Sequence, residues 1–240
     1  MSDRADRLAH LTRVAASTPT STPLALRLCV ALNDTVGMDG SSLSVGYGTA
    51  SRTVLCATDD VAERIEDLQD VLREGPGLDA FRLQEPVAAG ATEIAAHWPM
   101  FDQALEESGQ RCSLLAVPMR PDGDILGVVT MYRSVSSAVA ADAAVDVEEV
   151  QFLADAIGVA VLGGFERAEP PERLWSVRDK VNQAVGMVVA QLRLPPADAL
   201  AVLRAHAFAQ DTSVHKIAAA VLGRELVFRA PDAPDGDEGR

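Results

Sequence analysis

The stretch Ser113-Leu-Leu-Ala-Val-Pro-Met-Arg-Pro-Asp-Gly-Asp-Ile-Leu-Gly-Val-Val-Thr-Met-Tyr132 decides the fold. Two apolar runs, Ser113–Met119 and Ile125–Tyr132, flank Pro121-Asp-Gly-Asp124, where Gly123 supplies the positive φ that a tight reversal requires. The pattern predicts a β-hairpin and therefore an antiparallel sheet. Pro118 has no N–H for a ladder, so it is expected to end its strand or to sit at an edge.

Working outward, Ser42–Tyr47 and Arg52–Ala57 have strand character and are joined by a Gly-containing turn. Asp60–Leu72 sets Val61, Ile65, Leu68 and Leu72 on one helical face. Pro23 suits the first turn of a helix through Leu24–Leu32, and Ser2–Ala16 is helix-compatible, with Leu8, Leu11 and Val14 three apart. Glu74-Gly-Pro-Gly-Leu-Asp79 reads as a turn-rich loop. After the hairpin, Val147, Val150, Leu153, Ile157, Ala160, Val161 and Gly164 recur at spacings of three and four, predicting a helix over Asp146–Glu166. That stripe either lies on the sheet or is shared with a second subunit, and the second option makes a homodimer the expected state. Pro170-Pro171 ends the helix. Residues 20–166 thus form an α+β domain with an antiparallel sheet flanked by helices. Residues 1–19 stand apart as an N-terminal segment, and 167–173 read as a linker.

Composition narrows the function. Hydrophobic residues make up 48% of the 240, and aromatics only 4%, so the cores must be built from Ala, Val and Leu. No segment approaches the roughly 20 uninterrupted apolar residues of a membrane helix, so a cytoplasmic protein without a membrane partner is expected. Cys29, Cys56 and Cys112 show neither a CxxC pair nor metal-ligand spacing, and each sits in its own apolar run, which reads as packing. His10, His97, His206 and His215 are scattered. No metal, no cofactor and no enzymatic activity are expected. A redox enzyme would need paired cysteines, and iron ligation by His97 would rest on a single loop histidine.

The net charge of −14 is unevenly spread. Residues 1–171 hold 12 Lys/Arg against 26 Asp/Glu, whereas 172–229 hold 8 against 5. Any polyanion is therefore met by the C-terminal stretch, and 229–240 is an acidic tail. There, three helices follow from the pattern. The first carries Leu174, Val177, Val181, Ala184, Val185, Val188 and Leu192 on one face. The second, started by Pro195-Pro196, carries Ala199, Leu200, Leu203 and Ala207. The third, capped by Ser213, carries Val214, Ile217, Ala218 and Val221. His206 and Phe208 are candidates for stacking on bases, and of the two Phe208 is expected in the core.

Residues 174–228 resemble the ANTAR domain, the RNA-binding output module of bacterial transcription antiterminators. Arg178, Val181, Ala184, Gly186 and Met187 fit its first helix, Ala199, Leu203, Arg204 and Ala207 its second, and Ala218 its third; Val185 stands where many relatives have Lys. Arg73-Glu-Gly-Pro-Gly-Leu-Asp-Ala-Phe81, Trp98-Pro-Met-Phe101 and the hairpin are similar to the GAF domains that precede ANTAR in actinobacterial regulators. The resemblance implies a signal-responsive regulator that binds stem-loop RNA to control transcription termination. The expected RNA-binding residues are Arg178, Lys180, Arg204, Lys216 and Arg224. A few such cations with a polar ring suffice for RNA loops, which are recognised through phosphates and splayed bases. A small-molecule ligand of the GAF-like domain is expected against Gly75, Pro76, Gly77, Trp98 and Phe101. The competing reading is a DNA-binding helix-turn-helix regulator, which needs a recognition helix presenting several polar side chains to base edges.

Overall fold

The computed structural model describes residues 2–46, 52–135, 145–167 and 172–228, with side chains over 4–46, 52–135, 145–164 and 180–228. Its central element is the predicted hairpin. β4 (Cys112–Met119) and β5 (Gly127–Ser134) pair from Cys112↔Ser134 to Met119↔Gly127, and Gly123 has φ +91° in the turn. Ile125 and Leu126 precede the second strand instead of opening it. Position 127 is glycine because a neighbouring strand, β1 (Gly40–Gly46), crowds it there: a Cβ would fall 2.0 Å from the Ser44 carbonyl oxygen. β2 (Arg52–Ala57) pairs with β1, and a three-residue strand absent from the sequence reading, β3 (Val87–Ala89), pairs with β4. The sheet is antiparallel throughout, in the order β2-β1-β5-β4-β3. Pro118 is the edge case anticipated, since β3 reaches only Leu114–Ala116 and no strand lies beyond Pro118 on that side.

Side chains alternate across the sheet with a period of two. Leu115, Val117, Met119, Val129 and Met131 enter one core together with Leu43 and Val45. That core is covered by α1 (Ser2–Ser17), α2 (Leu24–Val36) and α7 (Val147–Arg167). Leu114 and Tyr132 enter the other, with Ile65, Leu68, Ile94, Trp98 and Phe101. That face is covered by α3 (Asp60–Leu72), α4 (Pro76–Leu83), α5 (Ala91–His97) and α6 (Pro99–Glu107). Because both faces are covered, β4 reads as a nearly continuous apolar run.

Three expectations are corrected and one choice left open, the cover of the α7 stripe, is decided. The Glu74–Asp79 loop is a loop only to Gly75; Pro76 fills the first helical position and starts α4, as its fixed φ favours. The 1–19 segment is not separate: Leu11 and Ala15 of α1 are buried in the first core, and Arg7 pairs with Glu149 of α7 at 2.5 Å. The stripe on α7 belongs to its own sheet. Val150, Leu153, Ile157 and Val161 are at most 4% exposed, so they are not a surface for a second subunit. Finally, the cysteines are not three unrelated residues, because Cys29 Sγ and Cys56 Sγ lie 3.4 Å apart.

The chain divides into two compact units, residues 1–174 and 175–240. The span read as a linker is helical at both ends, since α7 runs to Arg167 and the first helix of the second unit, α8 (Glu172–Leu192), begins at Glu172. Tyr47, Pro170, Pro171 and the acidic tail lie outside the described residues. Among the described residues no single helix is long and apolar enough to cross a membrane, and no cluster of His, Cys, Asp or Glu is arranged to hold a metal ion.

Candidate nucleic-acid interface

The second unit has the three helices expected of it. After α8, the axis turns by 104° into α9 (Pro196–Ala209), with Pro196 in its first turn. The third, α10 (Val214–Leu222), is capped by the Ser213 hydroxyl, which accepts the Lys216 N–H at 3.4 Å. Ala184, Val188, Ala199, Leu203, Ala207, Ala218 and Val221 are completely buried. Alanine at four of these seven positions lets short helices pack closely. The C-terminal end is tied back where the Phe228 N–H donates to Gln191 Oε1 at 3.0 Å.

The five expected RNA-binding cations divide into three groups. Lys180, Lys216 and Arg224 are exposed. Arg204 is half-buried and already engaged inside the protein, which suits a residue one helical turn before the fully buried Ala207. The side chain of Arg178 lies outside the described residues, as do those of Leu174 and Val177. A further cation that the sequence reading passed over, Arg193, is exposed at the end of α8. Between Lys180 and Arg193 the outward side of α8 carries Gln183, Gly186 and Ala190, all exposed and none anionic. The outer surface of α10 runs from Lys216 through Ala219 to Arg224. On α8 Lys180 lies near the middle of the helix and Arg193 just past its end; on α10 Lys216 lies in the first turn and Arg224 just past the end, beside the exposed Glu225.

Phe208 corrects the sequence reading. It is not in the core but 46% exposed on α9, because apolar residues occur on every side of that helix and only one side is covered. His206 is half-buried and meets Phe228 edge-on, with ring centroids 5.2 Å apart. Phe208, not His206, is therefore the aromatic face open to a base.

In the first unit, the five residues expected to line a ligand pocket are brought near one another. Glu74 Oε2 accepts the N–H groups of Met100 and Phe101 at 3.1 and 3.2 Å, and Trp98 Nε1 donates to Asp79 Oδ2 at 3.1 Å. The two rings are packing residues: Trp98 is 7% exposed and Phe101 fully buried. Gly75, Pro76 and Gly77 are buried against a polar cluster instead. Glu66 is held by Arg52 at 2.9 Å and by the Ser42 hydroxyl at 2.8 Å, and Gln69 Oε1 accepts the Gly77 N–H at 2.7 Å. A Cβ on Gly77 would lie 2.9–3.0 Å from Gln69 Oε1, Thr130 Oγ1 and Arg52 Nη1. Glycine is needed at this position because no room remains for a methyl group. A cleft of about 350 Å³ lies at the other end of the sheet, lined by Met38, Gly90, Glu93 and Arg133 among others and by none of the five.

Residues 175–222 match the family model of the ANTAR domain, the family that the sequence resembles. No curated protein matches the chain. Solved structures similar to it are GAF domains. The A. aeolicus nlh2 GAF domain in an inactive state is 14% identical, covering 68% of this chain and 95% of that chain, with a TM-score of 0.43. The GAF domain of a Coxiella burnetii phosphoenolpyruvate-protein phosphotransferase is 19% identical, covering 67% and 96%, with a TM-score of 0.42. The GAF3 domain of a Synechocystis protein in its photoproduct state is 18% identical, covering 66% and 98%, with a TM-score of 0.44.

Proposed function

We propose that the protein is a non-enzymatic cytoplasmic regulator that binds stem-loop RNA through residues 174–228 and thereby controls transcription termination. The observation that carries this reading is the ANTAR domain at 175–222. Its charge supports the reading, since residues 172–229 hold 8 Lys/Arg against 5 Asp/Glu in a protein of net charge −14. The acidic remainder repels nucleic acid in general, so contact is confined to one unit. Lys180, Arg193, Lys216 and Arg224 are solvated and positioned for phosphates, and Phe208 offers a face to one splayed base. Stacking of that kind contributes about 1–3 kcal/mol per base.

The helix-turn-helix alternative is disfavoured by α10. Val214, Ile217, Ala218 and Val221 are buried among its nine residues, and His215 is already engaged within the protein. Little remains with which to read base edges in a major groove. Residues 20–166 are proposed as the sensing unit. Pairing of two copies would raise the effective concentration for a second RNA site, and it must use a surface other than the α7 stripe.

The test is binding of the full chain to a stem-loop RNA and to duplex DNA across a salt series. Replacing Lys180, Lys216 and Arg224 together by Ala should reduce the slope of log affinity against log salt by roughly 2–3. Phe208→Ala should weaken binding without changing that slope. Equal affinity for duplex DNA, or an unchanged slope in the triple variant, would overturn the proposal.

A further inference from the structure

We propose that Cys29 and Cys56 form a reversible thiol–disulfide pair, in which Cys56 meets a peroxide and Cys29 resolves the oxidised sulfur. The geometry places both thiols in van der Waals contact, at 3.4 Å between Sγ atoms. Closing to the disulfide length of about 2.05 Å requires an approach of about 1.4 Å. Side-chain rotation and a small shift of one strand are enough for that. The strand concerned is free to make it: β2 is at the edge of the sheet, so only β1 pairs with it.

The local backbone also explains why the two thiols face each other. The β1–β2 register pairs Leu43 with Cys56 and Ser44 with Val54, so Leu55 is an extra residue bulged out of the ladder. A bulge re-aims the side chains beside it. Both Leu55 and Cys56 consequently pack on the core covered by α2, although they are neighbours in sequence. In a regular strand only one of them would point there. The bulge thus turns Cys56 toward Cys29, which α2 presents from above with no exposure of its own.

The two sulfurs have different access. Cys56 is half-buried and within reach of a small oxidant, whereas Cys29 is completely buried. The hydrogen bond with Cys56, and burial after it, hold the Cys29 thiol well above its usual range, so it keeps its proton until it acts. Cys56 as thiolate attacks a peroxide oxygen, forming an S–O bond and breaking O–O. The hydroxide released takes up the proton that Cys56 lost and leaves as water. Cys29 sulfur then attacks Cys56 sulfur, the S–O bond breaks, and the departing hydroxyl carries away the Cys29 proton as a second water. Two thiols have lost two electrons, and one peroxide has become two waters. In a reducing compartment such a bond is transient, as is usual for a redox-responsive pair. Its formation would fasten α2 to the edge of the sheet.

The experiment treats the full chain with hydrogen peroxide in native buffer, followed by thiol counting, intact mass and peptide mapping. Two of the three thiols should be lost, the mass should fall by two hydrogens, and Cys29 and Cys56 should appear in one cross-linked peptide. Dithiothreitol should restore both thiols. Cys29→Ala should leave Cys56 as a sulfenic acid trapped by dimedone. Cys56→Ala should leave Cys29 and Cys112 unmodified over the same interval. The proposal is overturned by a bond between two chains, by a bond to Cys112, by Cys56 passing to sulfinic acid with Cys29 still reduced, or by linkage only after urea unfolds the protein. None of these readouts depends on RNA binding.

Discussion

The buried pair of Arg52 and Glu66 gives the sharpest prediction about the first unit. Glu66 is 2% exposed, and its carboxylate receives Arg52 at 2.9 Å and the Ser42 hydroxyl at 2.8 Å, with Gln69 at 3.4 Å. The guanidinium side chain is 9% exposed. Arg52→Met leaves the carboxylate in the interior with two neutral donors. Removing one partner of such a pair costs about 3–5 kcal/mol, because the other charge stays buried without compensation. Glu66→Met should cost a similar amount by stranding the guanidinium. The double variant removes both charges at nearly constant volume and should cost about 0–1 kcal/mol, giving a coupling of at least about 4 kcal/mol. The assay is urea unfolding followed by Trp98 fluorescence in a Trp175→Phe background, so that one indole reports on the unit containing the pair. With a urea dependence of about 2 kcal/mol/M, each single change should lower the midpoint by about 2 M. Single costs that simply add in the double variant would refute the reasoning, since the two residues would then not be joined as ions.

Leu153→Asp should abolish the folded first unit, as read by circular dichroism, because Leu153 is wholly buried over the chain's own sheet; a folded monomer appearing in its place would show that α7 is a subunit interface. Burial pushes the Cys112 thiol up to about 11. With the folded value raised above the unfolded one, its contribution is complete below about pH 8.5 and is lost as pH rises toward 11, to the extent of about 3 kcal/mol. Cys112→Val should therefore shrink the alkaline loss of stability by that amount, measured by urea unfolding at pH 8 and pH 11, and an unchanged loss would count against the buried thiol as its source.

Elements whose signals lie within a few residues are legible in the sequence itself. The β4–β5 hairpin follows from two apolar runs and the turn at Gly123, which does take φ +91°. The face of α7 follows from spacing alone, and α8, α9 and α10 follow from periodicity, two prolines and the Ser213 cap. Residue types also identify the exposed cations Lys180, Lys216 and Arg224. Short elements escape such a reading, because β3 has three residues and α5 has seven, too few for a period to emerge.

What only the tertiary structure decided were the questions of which partner and which side. The α7 stripe is equally apolar whether a sheet or a second subunit covers it, and the chain's own sheet does so. Phe208 resembles a core residue until the packing of α9 leaves it outside, and Arg204 resembles a free cation until the fold engages it. Cys29 and Cys56 are 27 residues apart and carry no local signal of contact. Their meeting depends on strand register and on one bulged residue, quantities set by long-range pairing and absent from any short window of sequence.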